Sequence, residues 1–290
     1  MRLLKIVFFG LSICLIDICF AGGPDYYQGK GRILISSDGN YHDKDDWAAS
    51  AAALMILAKA NLQSQVTSYI YSDHIWQSSE EGLRQMTESV VEGGEKFGFT
   101  NTQFIEAAAD PEKAYNHVRN AINASTKKDP LFIIAAGPMQ VIGEGINRAN
   151  PEALNHVTVI SHSTWNDEHA VTPHRNESKP WTYDTHLHEG WTWSELERKF
   201  GDKVNFNHII DQNDYKSATK GFATTRAGNP GQEWESWHWM RDHQDSNVQW
   251  VYQRAVITEK PDWSDAGMTF YLVTGKQDAG PQDLRRFMDE

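Results

Sequence analysis

Cysteine is nearly absent from this sequence. Only Cys14 and Cys19 occur, and both lie in the opening stretch MRLLKIVFFGLSICLIDICFAGG. That stretch carries Arg2 and Lys5, then an apolar run, then small residues from Ala21 to Gly23. It has the form of a secretory signal peptide over residues 1–21, cleaved after Ala21. Asp17 interrupts the run that a membrane anchor would need. Each cysteine follows an isoleucine, where a lipoprotein signal wants a small residue. The expected mature chain is secreted or periplasmic. It has no disulfide and no thiolate site, so its core must stabilise it. Long apolar runs are missing elsewhere, so no other segment reads as a membrane span.

Positive charge is also scarce. Lys and Arg number 27 against 39 Asp and Glu, a net charge of −12 that becomes −13 without residues 1–21. This excludes nucleic acid polymers and anionic membrane surfaces as partners and suits cations or neutral substrates. Several catalytic signatures are missing. There is no Gly-x-Ser-x-Gly elbow and no His-Glu-x-x-His, and TGKQDAG (274–280) lacks the phosphate-loop pattern.

What is present is an alternation of two periods. RILISS (32–37), QVTSYIYS (65–72), QFIEA (103–107), LFIIAA (131–136) and HVTVIS (156–161) read as strands. Helical stretches at 46–60, 79–97, 110–123 and 138–148 separate them. Asp110 and Pro111 supply an N-cap and a first-turn proline for the third of these. Strands separated by helices imply parallel βαβ units. The expectation is one α/β domain over 22–290, with a mainly parallel central sheet and helices on both faces. The C-terminal half is less regular. Residues 163–191 and 221–232 read as loop insertions. A helix at 192–200, a strand at 204–210 and helices near 233–243 and 247–257 continue the pattern.

Between the first strand and the first helix lies DGNYHDKDDWAAS. Asp38, Asp43, Asp45 and Asp46 fall within nine positions there. Ligands in open parallel sheets bind beyond the carboxyl ends of strands, which is where Asp38 stands. Asp45 or Asp46 could simply cap the helix. Capping does not explain four acids, which repel one another unless a cation sits among them. Oxygen ligands without cysteine point to Ca²⁺, with Mg²⁺ less suited. An EF-hand is excluded, because a loop begun at Asp38 places Ala49 where the closing Glu belongs.

RILISSDGN…DDWAA resembles the N-terminal signature of the nucleoside hydrolase-like superfamily, an apolar strand ending in Asp-Thr-Asp-Pro-Gly followed by an Asp-Asp pair opening a helix. LFIIAAGPMQVI is similar to that family's strand followed by Gly-Pro-Leu-Thr-Asn. The resemblance covers roughly residues 30–165. It implies a calcium-dependent hydrolase in which water, activated by the metal, attacks an anomeric carbon. It makes Asp38 a calcium ligand and the base, Asp45 a sugar contact, and Asp46 a bidentate ligand. It adds the backbone carbonyl of Ala136 and, near the C-terminus, Asp265, with Asp262 as the lesser choice. Three features depart from the family: Gln140 and Val141 replace its Thr-Asn, and two more lie around the first strand. Ser36 stands where the first Asp is usual, and residues 41–44 lengthen the loop and bring in Asp43 as a further candidate ligand.

SHSTWNDEHA (161–170) corresponds to a loop that supplies a sugar-binding Asn in the family, here Asn166. Trp165 beside it suits a sugar ring, whose faces stack on indole. HIIDQND (208–214) is similar to a strand-end motif of exported relatives and places Asp211 and Gln212 at the rim. The acid for the leaving group is open among His162, Glu168 and His169. Nine of the eleven tryptophans lie beyond residue 160. Those at 234 and 237 share a helical face and read as core or pocket wall. HLH (186–188) could bind zinc with His162, His169 and His174. The expected substrate is a small sugar, glycoside or nucleoside, and the sequence leaves homo-oligomerisation open. Two rivals are a non-catalytic calcium-dependent carbohydrate-binding protein and a zinc hydrolase built on the histidine-rich loop.

Overall fold

The computed structural model describes residues 23–171, 188–213, 220–224 and 232–290. The signal peptide expected at 1–21 lies outside them, as do His174 and His186. Among the described residues no helix is long and apolar enough to cross a membrane.

The strands are β1 (Arg32–Ser37), β2 (Val66–Tyr71), β3 (Gln103–Glu106), β4 (Leu131–Ala136), β5 (Val157–Ser161), β6 (Ala170–Val171), β7 (His188–Glu189) and β8 (Asn205–His208). Six of them form one sheet in the order β3-β2-β1-β4-β5-β8, and every pairing in it is parallel. β6 and β7 pair separately. The helices are α1 (Asp46–Lys59), α2 (Glu80–Thr87), α3 (Gly93–Lys96), α4 (Pro111–Asn123), α5 (Gln140–Arg148) and α6 (Thr164–Glu168). They continue as α7 (Trp193–Phe200), α8 (Gln232–Glu235), α9 (His238–Arg241), α10 (Ser246–Thr258), α11 (Ala266–Thr274) and α12 (Pro281–Asp289). This is the expected α/β fold with a parallel sheet.

Alternation along the strands builds the two faces. Leu34, Leu131, Ile133 and Ala135 point to one side, against α4, α5 and α7. Ile33, Ile35, Phe132, Ile134 and Ala136 point to the other, against α1, α2 and α11. β4 is buried on both faces, hence its unbroken apolar run LFIIAA. α1 has two neighbours. Leu54 and Leu57 face the sheet, while Ala48, Ala51, Ala52, Met55 and Ile56 face α10 and α11. A helix packed on opposite sides needs small residues all round, which explains AASAAA. The same outer layer buries Trp237 and Trp263, so these are core tryptophans.

Two expectations change. The helix over 79–97 is broken by a π turn at Glu88–Glu92 between α2 and α3. The segment is anchored through Ser89, whose hydroxyl donates to the Trp47 carbonyl at 2.5 Å and accepts from Arg254 at 2.8 Å. The stretch 163–191 is not wholly irregular, since it contains α6 and the β6–β7 pair.

Candidate functional site at the sheet switch point

The chain runs outward from β1 to β2 and β3, and outward on the other side from β4 to β5 and β8. Between β1 and β4 the order therefore reverses, and in parallel sheets of this kind ligands bind beyond the carboxyl ends of the strands at such a point. Asp38 follows β1 directly, as Gly137 follows β4. The Asp38 amide donates to the Ala136 carbonyl at 3.2 Å. That carbonyl, expected to bind calcium, keeps a second lone pair.

Capping fails as an account of the acids here. Asp45 is the N-cap of α1 and Asp265 the N-cap of α11, yet neither side chain makes a capping hydrogen bond. Asp110 and Asp245 show what capping looks like in this chain, since both accept from their own helices. The carboxylates at α1 and α11 are turned elsewhere. Asp38, Asp43 and Asp46 each place an oxygen within 4.8 Å of the others. Asp38 and Asp46 are buried, and Asp38 Oδ1 and both Asp46 oxygens have no hydrogen-bond partner.

A further carboxylate was not anticipated. Asp73 follows β2 and is fully buried. The hydroxyl of Ser36 donates to its Oδ2 at 2.5 Å, and its Oδ1 is unpartnered. Ser36, the departure from the family signature, thus recruits an acid from the neighbouring strand. Gly137 permits this, because a Cβ there would collide with the Asp73 carboxylate. Asp73 ends an apolar strand as Asp38 does, and that parallel was visible in VTSYIYSDH.

Burial, then Asp73 and Asp265, hold the Asp38 carboxyl well above the usual carboxylate range. Burial, then Asp38 and Asp265, do the same to Asp46, and burial followed by Asp45 to Asp43. Burial raises Asp73 to about 7, the Ser36 hydrogen bond opposing it and Asp265 adding to it. Burial, with Asp45 next, raises Asp262 to about 8. Acids packed this way ionise together only around a cation; otherwise some keep their protons. Unpartnered oxygens and an all-oxygen donor set fit a hard divalent ion such as calcium.

The loop that carries these acids is pinned by Asn40, which the sequence did not single out. Its amide donates to the carbonyls of His74 and Gln77 at 2.9 and 3.1 Å and to Ser78 at 2.7 Å. Gly39 adopts φ +78°, and its carbonyl accepts from the Trp47 indole at 2.7 Å.

His162 was a candidate acid for the leaving group, but it is occupied otherwise. It is buried, and its Nε2 lies 2.7 Å from Asp265 Oδ1. Its Nδ1 lies 3.4 Å from Asp211 and 3.3 Å from the Gln212 amide. The amide can donate only to a neutral ring, so the two contacts exclude one another. Burial alone would lower this imidazole, but Asp211 and Asp265 outweigh it and raise it to about 9. Protonated, the ring turns Nδ1–H towards Asp211; neutral, it accepts from the Gln212 amide. Burial would raise Asp211, but His162 and the Asn213 amide bring it below the usual range. Gln212 is buried, and its amide donates to the carbonyls of Ile210 and Gln277. It braces the loop beside α11 instead of standing at an open rim.

On α6, Asn166, the expected sugar contact, is buried with its Oδ1 unpartnered. Glu168 accepts from Ser194 at 3.1 Å. Asp167 ties β5 to β8, accepting from Ser161 at 2.6 Å and meeting His208 at 2.8 Å. Trp165 meets His169 edge-on at 4.2 Å. His169 gathers with His74 and His188, not with His162, their nitrogens all within 4.8 Å.

The fold and site define a doubly wound α/β protein with a cluster of unpartnered carboxylates at its switch point. The chain is similar to uncharacterized protein P22 of Formosa agariphila, with 28% identity over 269 residues, covering 87% of this chain and 86% of that protein. No family model and no solved structure matches the sequence.

Proposed function

We propose that the protein is an exported calcium-dependent hydrolase of a glycosidic bond, O- or N-linked, of the nucleoside hydrolase-like class. One observation carries this reading. The buried Asp46 at the start of α1 leaves both oxygens without hydrogen-bond partners, as Asp38 does its Oδ1, and neither Asp45 nor Asp265 caps its helix. Asp38, Asp43, Asp46 and Asp265 would hold the ion, with the Ala136 carbonyl completing the set. Calcium bound there supplies a Lewis acid and offsets the mutual repulsion of the carboxylates.

The chain's own groups do the rest. Asp38 stands at the strand end and accepts the proton of the attacking water. Asp45 is half-buried and next to the ligands, where it accepts from a sugar hydroxyl. The free Oδ1 of Asn166 accepts from another. These contacts fix the ring and favour charge build-up at the anomeric carbon. His162, enclosed between Asp265 and Asp211, positions Asp265 and does not reach the substrate.

The test is hydrolysis of a panel of aryl glycosides and nucleosides with calcium or chelator. Turnover should require calcium, and Asp38→Asn should lower kcat by about 100-fold or more. Undiminished turnover in that variant would sink the assignment of the base. Sugar binding that needs calcium, with no turnover of any substrate, would make the protein a carbohydrate-binding module.

A further inference from the structure

We propose that His74, His169 and His188 form a second metal centre, for a zinc-class cation, beside the carboxylate cluster. This does not rest on the calcium reading. The three rings come from separate elements: the segment after β2, the end of α6, and the start of β7. One nitrogen of each lies within 4.8 Å of the others. The Nε2 atoms of His74 and His169 face each other at 3.0 Å.

The tautomer of His74 follows from its other nitrogen. Nδ1 lies 2.9 Å from the Gln77 carbonyl, which can only accept. Nδ1 therefore carries the hydrogen, and Nε2 presents a lone pair towards His169. A backbone carbonyl holding the far nitrogen is how metal-ligating histidines are oriented. Zinc–nitrogen bonds of about 2.0–2.1 Å in a tetrahedron place two ligand nitrogens about 3.4 Å apart. The observed pair is already near that spacing. The His188 ring is stacked on Trp76 at 4.5 Å and 6°, which holds its plane. The Trp165 edge contact steadies His169.

The donor chemistry separates the two centres. Imidazoles select zinc, copper, iron or nickel, whereas carboxylates select calcium or magnesium. Asp73 of the acid cluster and His74 are consecutive, and Asn40 bonds the His74 carbonyl from the acid-bearing loop. The two centres thus share a wall made by the segment after β2.

The test uses metal-stripped protein titrated with Zn²⁺ alone, and with Co²⁺ as a spectroscopic probe. One zinc per chain should bind, and Co²⁺ should give the visible bands of a low-coordinate nitrogen site. His74→Ala and His169→Ala should each weaken zinc more than the 10- to 100-fold typical of losing an outer partner. Asp46→Asn should leave zinc affinity unchanged while weakening calcium. Calcium uptake by the histidine variants, or their circular dichroism if calcium does not bind, reports that they are folded. Substoichiometric zinc in the wild type, or zinc held equally well by His74→Ala/His169→Ala, would overturn the proposal.

Discussion

Removing calcium should make the protein's stability fall as pH rises, and restoring calcium should reverse this. Asp73 is buried and raised from 3.8 to about 7. In the metal-free fold it keeps a proton that the unfolded chain releases above about pH 4. The folded state then binds more protons than the unfolded one, so stability declines as pH climbs from about 4 to about 7. At about 1.4 kcal/mol per pKa unit, Asp73 alone accounts for roughly 4 kcal/mol across that window. Asp262, raised to about 8, acts in the same direction. The two share neighbours, so their effects do not simply add. Under the function proposed above, calcium would bind the ionised form, and at 100 times its Kd would contribute about 2.7 kcal/mol. For a domain of this size that is a rise in Tm of about 5–10 °C at pH 8. At pH 5 protons compete, and the rise should be much smaller. Thermal denaturation at both pH values, in chelator and in calcium, measures all four quantities. Equal Tm in chelator and calcium at pH 8 would refute the reasoning, as would a chelated protein more stable at pH 8 than at pH 5.

Two substitutions probe the framework around the site. Gly137→Ala drives a methyl into the Asp73 carboxylate, and should lower stability by about 1–3 kcal/mol and weaken calcium in isothermal titration. Unaltered calcium affinity in a stable variant would show that Asp73 stands apart from the ion. Arg254 is buried, bonded to Ser89 and Gln85 and paired with Glu88 at 2.7 Å. Arg254→Ala should destabilise by about 3 kcal/mol, the lower end for a broken buried pair because Glu88 is partly exposed. Its urea midpoint should fall while calcium affinity holds.

The fold was legible because its signals are local. The run LFIIAA declares a strand covered on both faces, and Asp110-Pro111 starts α4 where expected, with Asp110 accepting from the Lys113 amide. Asp38, Asp46 and Asp265 were legible because strand ends and helix starts announce themselves. Asp73 was not, since its place depends on β2 lying beside β1, and Ser36 meets it only across that pairing. The histidines were misgrouped for a similar reason. Sequence proximity joined His162 to His169, but the end of β5 sends His162 to Asp265, while α6 carries His169 to His74. The break between α2 and α3 answers to Trp47 and Arg254, partners distant in sequence.

The tryptophan-rich outer layer gives the protein a built-in optical probe. Trp263 lies between Asp262 and Asp265, is fully buried, and packs on Trp237 at 4.4 Å. Trp47 follows Asp46 and is hydrogen-bonded to the acid-bearing loop. Both indoles thus sit one or two residues from the carboxylates. Their ultraviolet emission should respond to the charge on those carboxylates without a label, and stopped flow on adding calcium would test whether an ion reaches them.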